Sequence, residues 1–145
     1  MQDIPRTAKV LGFAGVLPFI WGALGQVSDN LVFQLAGENL SGLPLMLGYG
    51  VIIFNFMGGC LWGFATRLTS ALGYVLSILP ALWTLFMFAL PLAYQPIVLL
   101  VGFIALLRVD YWFVAQDVAP NWWMSLRMAL TVCVSLAFVG ANIFA

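Results

Sequence analysis

Apolar residues in this chain come in long unbroken runs rather than in a two- or 3.6-residue alternation, and short polar or proline-marked breaks separate them. A helix that crosses a bilayer needs about 20 mostly apolar residues. Five stretches have that character, at residues 10–24, 45–65, 72–90, 97–115 and 122–144. Arg6 and Lys9 precede the first. Pro44 stands ahead of the second, where proline is tolerated at a helix start. Pro91 stops the third and Pro96 opens the fourth. Pro120 and Asn121 open the fifth, with Asn121 as the expected N-cap. The pattern predicts an all-α integral membrane protein, a five-transmembrane-helix bundle forming a single membrane domain over residues 1–145. The only long connection is the loop 25–44. Within it, Leu31, Val32, Phe33 and Leu35 suit a short helix on the membrane surface, and Asn39-Leu40-Ser41 matches a glycosylation acceptor. The first stretch also has features of a signal peptide, with Ala23-Leu24-Gly25 as its cleavage site.

Composition agrees. Hydrophobic residues make up 64% of the chain and charged residues 7%, against about 25% charged in an ordinary soluble domain. The five Lys/Arg and five Asp/Glu sum to a net charge of zero. With no basic run, there is no electrostatic footprint for nucleic acid. Histidine is absent, which removes the commonest zinc ligand and the commonest general base near neutral pH. Cys60 and Cys133 stand singly in apolar runs and read as small hydrophobes. No metal or cofactor is expected.

The positions of the charges say more than their sum. Threading the five stretches puts Arg6, Lys9, Arg67, Arg108 and Arg127 on one side. By the Lys/Arg bias that side is the cytoplasm or the mitochondrial matrix. The N-terminus is then inside, the C-terminus outside, and the 25–44 loop outside with Asp29 and Glu38. Trp62, Tyr111, Trp112, Trp122 and Trp123 gather at the inner interface as an aromatic belt, and Trp21 stands at the outer one.

Three helix faces carry further information. In the fifth stretch Arg127, Thr131, Ser135 and Asn142 fall within an arc of about 80°. That stripe serves either helix-to-helix hydrogen bonding or the wall of a polar cavity. In the second stretch Gly48, Asn55, Gly59 and Gly63 share a small-residue face. Gly59 and Gly63 form a G-x-x-x-G pattern that suits packing within the monomer or, alternatively, a homodimer seam. In the third stretch, Ser77, Pro80 and Thr84 mark a helix that proline should kink.

One charge does not fit an interfacial role. Asp110 lies roughly 9 Å up its helix from the inner end. Arg108 can snorkel from that depth, but an aspartate is too short and needs a partner. The fourth and fifth stretches form an antiparallel hairpin around Asp117-Val118-Ala119-Pro120, which brings Asp110 and Arg127 to similar depth. An Asp110–Arg127 pair is therefore expected. Arg108, about 200° around the helix, should turn to headgroups, and Asp117 should add a second acceptor. Trp62, Trp122 and Trp123 are expected at the same level. The pair is either a structural lock on the hairpin or one end of an aromatic-lined pocket for an anionic or quinone-like headgroup.

Several motifs carry a resemblance. Ile4-Pro5, Gly12…Gly15-x-Leu17-Pro18-Phe19, Tyr49-Gly50…Phe56-x-Gly58-Gly59-x-x-Trp62-Gly63, Asp110, Pro120-x-Trp122 and Leu126-Arg127-x-x-Leu130-Thr131 together resemble the family of transmembrane protein 69. The resemblance covers nearly the whole chain and implies an inner-membrane home, bacterial or mitochondrial. The family has no assigned function and lends no catalytic residue. Trp123 stands where the resemblance leads one to expect tyrosine.

Chemical motifs are sparse. The chain has no G-x-S-x-G elbow, no P-loop and no metal-ligand spacing. Expectation leans to a non-enzymatic accessory, scaffold or assembly factor of an inner-membrane complex, with the lipid bilayer and other membrane proteins as partners. The alternative is a small transporter or channel, with a polar site near the cytoplasmic ends of the second, fourth and fifth stretches. A membrane enzyme acting on lipid or quinone ranks last.

Overall fold

The computed structural model describes residues 3–27 and 42–143. The expected surface helix at Leu31–Leu35, the Asn39-Leu40-Ser41 acceptor and the acidic residues Asp29 and Glu38 lie outside the described residues.

Every regular element among the described residues is helical. The chain runs α1 (Arg6–Ala14), α2 (Leu17–Val27), α3 (Gly42–Ala65), α4 (Leu72–Phe88), a 3-10 turn at Leu92–Tyr94, α5 (Gln95–Ala115) and α6 (Trp123–Ile143). Four helical stretches are long and apolar enough to cross a membrane: Arg6–Gln26, Gly42–Ala65, Leu92–Ala115 and Trp123–Ile143. The other apolar helix, Leu72–Phe88, has 17 residues.

Local chemistry sets the boundaries. The first stretch breaks into α1 and α2 at Gly15-Val16, because Pro18 has no N–H to give the carbonyl of Ala14. α3 begins ahead of its apolar run. Gly42 adopts φ +60°, which glycine accepts without steric cost. The Leu43 N–H then donates to Gln26 Oε1 at 3.1 Å, satisfying one of the orphan donors of the helix start. α6 begins at Trp123, where the backbone N–H reaches the Pro120 carbonyl at 3.0 Å. Asn121 is thus in the turn, one position before the residue that precedes the helix, and not at the N-cap as expected.

α3 is the hub, in contact with α2, α4, α5 and α6. Phe19 of α2, Phe103 of α5 and Phe138 of α6 form its aromatic centre, with Phe19 6.4 Å from Phe103 and 6.0 Å from Phe138 between ring centroids. Phe54 of α3 joins Phe103 edge-on at 5.2 Å.

Polarity is inverted relative to a soluble protein. Ile52, Phe56, Leu85, Val132 and Leu136 are exposed, while Ser77, Thr84, Asp110, Arg127 and Thr131 are buried. Lipid is the solvent that rewards such a surface, since its acyl chains need no polar partners.

The α3–α4 joint is built on a glycine other than the expected pair. A Cβ at Gly58 would stand 2.8 Å from the Ser77 carbonyl and 3.2 Å from the Pro80 ring. A Cβ at Gly59 or Gly63 would meet no atom of the described residues within 4 Å beyond its chain neighbours and its own helix backbone. The two therefore take no part in packing among the described residues. Gly59 and Gly63 lie about 100° and about 140° around α3 from Gly58, which meets α4. α4 is helical through Pro80, which is buried against Gly58. Asn55 Nδ2 donates to Thr84 Oγ1 at 2.9 Å, and the Thr84 hydroxyl donates to the Pro80 carbonyl at 2.9 Å.

Candidate functional site

The turn from Gln116 to Trp122 folds α6 back along α5. Val118 and Ala119 in that turn are buried and anchor it to the bundle. Two helices running back from one turn bring residues equally distant from it to the same level. Asp110 and Arg127 meet there: Arg127 Nε donates to Asp110 Oδ2 at 2.9 Å, with the aspartate side chain 0% and the arginine side chain 4% exposed.

The second carboxylate oxygen is occupied too. Trp123 Nε1 donates to Asp110 Oδ1 at 2.9 Å. Trp123 precedes Arg127 by one helical turn, so both donors leave the same face of α6. Phe64 of α3 packs edge-on against the Trp123 ring at 5.0 Å and holds the indole in place. The unit is therefore an aspartate gripped by two donors of one helix and steadied by a third helix. Trp123 acts as a ligand of the carboxylate and not only as a belt residue. Two clues in the sequence pointed to it: its i−4 spacing from Arg127, and the spare oxygen on Asp110. Where the resemblance leads one to expect tyrosine, a phenol O–H would be a donor of the same kind.

Other expected members fall elsewhere. Arg108 is exposed, on the opposite side of α5 from Asp110. Asp117 is exposed and makes no ion pair with Arg127. α5 ends at Ala115, and Asp117 takes φ 58° in the turn, so a helical face extrapolated from Asp110 does not reach it. Aspartate accepts that left-handed backbone better than most residues. Trp62 is exposed and stacks edge-on with Tyr74 at 4.7 Å, away from the pair. Ser135 is half-buried. Asn142 spends its amide on the Phe138 carbonyl of its own helix at 2.8 Å.

Trp122 lines a cavity of about 450 Å³ between α1–α2, α3 and α6. Its walls are mainly apolar, including Gly12, Phe19 and Met57, and Arg127 and Thr131 also line it. One atom of each of these two residues is buried without a hydrogen-bond partner, Arg127 Nη2 and Thr131 Oγ1. Among the described residues no three His, Cys, Asp or Glu side chains gather into a group that could hold a metal ion.

Fold and site together define a helical integral membrane protein with a polar unit buried among apolar helices. Comparison with known proteins makes this specific. Residues 4–143 match the family described as "Protein of unknown function (DUF3429)", and the chain belongs to that family. It is also similar to Transmembrane protein 69 of Xenopus tropicalis, at 28% identity over 151 residues. The match covers 99% of this chain but 56% of that protein, so the chain spans little more than half the length of its relative. No solved structure matches.

Proposed function

We propose that this protein is a non-catalytic, multi-pass component of a bacterial or mitochondrial inner membrane, serving as an accessory, scaffold or assembly factor for a larger complex. One observation carries the reading. The buried charges among the described residues, Asp110 and Arg127, are spent on each other at a helix joint. A buried ion pair closed by a second donor, the Trp123 indole, leaves neither carboxylate oxygen free for a substrate, which supports a role in fixing geometry. Membership in a family of unknown function and the likeness to a transmembrane protein are consistent with it.

The same reading treats Leu72–Phe88 as a fifth span. Its 17 residues reach about 25 Å at 1.5 Å per residue, the short end of the spanning range. The Lys/Arg bias then favours a cytoplasmic or matrix N-terminus and an external C-terminus. Arg6, Lys9, Arg67 and Arg108 are all exposed, as groups that reach headgroups must be. A transporter or channel for a polar solute has weaker support, because the cavity beside Arg127 has mainly apolar walls.

The test is affinity capture of the tagged protein from native membranes in mild detergent. A partner recovered at fixed stoichiometry, and lost when Gly59 and Gly63 are both replaced by leucine, is the expected result. Repeated recovery of the protein alone would contradict the proposal.

A further inference from the structure

We infer that the cavity beside Arg127 binds a neutral, lipid-soluble molecule carrying a carbonyl oxygen on an apolar body, with Arg127 Nη2 and the Thr131 hydroxyl as the donors that hold the oxygen. This goes beyond an accessory role and stands whether or not the protein has that role.

The donors come first. Arg127 is 3% exposed and Thr131 4%. Buried donors of this kind are nearly always partnered in folded proteins. Nε of Arg127 is committed to Asp110, whereas Nη2 has no acceptor. Threonines in apolar helices usually return their hydroxyl to the carbonyl one turn back, as Thr84 does to Pro80. Thr131 does not, and its Oγ1 is unpartnered. The two residues are one turn apart on α6, so they present their donors along one face. Both residues line the same cavity, and each donor lies beneath its wall with less than 1 Å² accessible, so an occupant meets it once the side chain turns to another rotamer.

Charge selects the head. Asp110 already balances the guanidinium. A full anion placed here would add a buried charge with no cation left to meet it, which is costly in a low-dielectric site. A neutral carbonyl has two lone pairs and adds no charge. Hydrophobicity selects the body. Phe19, Met57 and Leu126 line the remaining space, and the volume of about 450 Å³ lies within the usual range for small-molecule sites. Leu11 and Phe56 line the cavity and are also exposed on the outside of the bundle, so entry is sideways from lipid. Quinones and fatty-acyl esters both satisfy these conditions.

The test uses the 145-residue chain in lipid-free dodecyl maltoside micelles with four probes: decyl-benzoquinone, methyl palmitate, palmitate and hexadecane. Binding is followed by thermal shift and by native mass spectrometry. Saturable 1:1 binding of the quinone or of the ester is expected, and whichever binds more tightly identifies the source. Thr131→Val keeps the shape of the side chain and removes its donor, so it should weaken that probe about fivefold to tenfold. Without a probe the variant should melt no lower than the parent, because only an unpaired hydroxyl has been lost. The inference is overturned if no carbonyl probe binds, if hexadecane binds as tightly as the ester, if palmitate outcompetes both carbonyl probes, or if Thr131→Val leaves affinity unchanged.

Discussion

Two joints in this bundle use polar side chains, and they differ in what is left over. Between α3 and α4, Asn55 donates to Thr84 and Thr84 donates to the Pro80 carbonyl. The network is neutral, and Thr84 is used as both acceptor and donor. Between α5 and α6, Asp110 takes one donor on each oxygen, from Arg127 and Trp123, and Arg127 Nη2 remains open. The first joint is adhesive: each bond is worth little, and none leaves a charge behind if it breaks. The second is conditional. Either charge alone inside the shell is worse than both together, so the joint tends to be whole or absent.

The largest way to break that contrast is Asp110→Ala. It strands a buried guanidinium and should destabilise the protein by about 3–5 kcal/mol, seen as an early transition in SDS titration of the micelle-bound protein. Replacing both partners, Asp110→Leu with Arg127→Met, should recover most of the loss, since no unpaired charge then remains. A double variant as weak as Asp110→Ala alone would mean that the pair supplies attraction beyond mutual neutralisation. Next in size is Trp123→Phe, which keeps the ring against Phe64 and removes the N–H to a charged acceptor, at about 1.5–3 kcal/mol in the same titration. Its neutral counterpart, Thr84→Val, should cost only about 0.6 kcal/mol, the mean found for side-chain hydrogen bonds between membrane helices. Equal losses in these two variants would erase the distinction between the joints.

The contrast also shows what was legible in the sequence. The Asp110–Arg127 meeting follows from arithmetic, because an antiparallel hairpin equates distances from its turn and an aspartate cannot snorkel. The α3–α4 contact is harder to read. Gly58 and Gly59 are adjacent, and only the rotation of α3 about its axis decides which of them meets Pro80; a G-x-x-x-G pattern does not carry that rotation. The expectation for Asp117 fails because it carries helical periodicity past Ala115, where the apolar run and α5 both end, into a turn in which Asp117 takes φ 58°. The sequence places Trp123 among interfacial tryptophans, because an indole at a membrane boundary serves either in the belt or as a buried donor, and its position in the chain does not choose between them. The starts of α3 and α6 also depart from the apolar runs, because Gln26 and Gly42 set the first and Pro120 the second by hydrogen bonds and backbone angles and not by hydropathy.

The 17-residue separation of Asp110 from Arg127 bears on how the chain enters a membrane. Synthesis runs from the N-terminus, so α5 emerges while its counter-charge is still inside the ribosome. A lone carboxylate in a spanning helix resists partitioning into lipid, by up to about 2.5–3.5 kcal/mol at the helix centre. α5 is therefore a segment that waits. It gains its full preference for the bilayer only when α6 arrives, and the two should leave the insertion machinery as one hairpin.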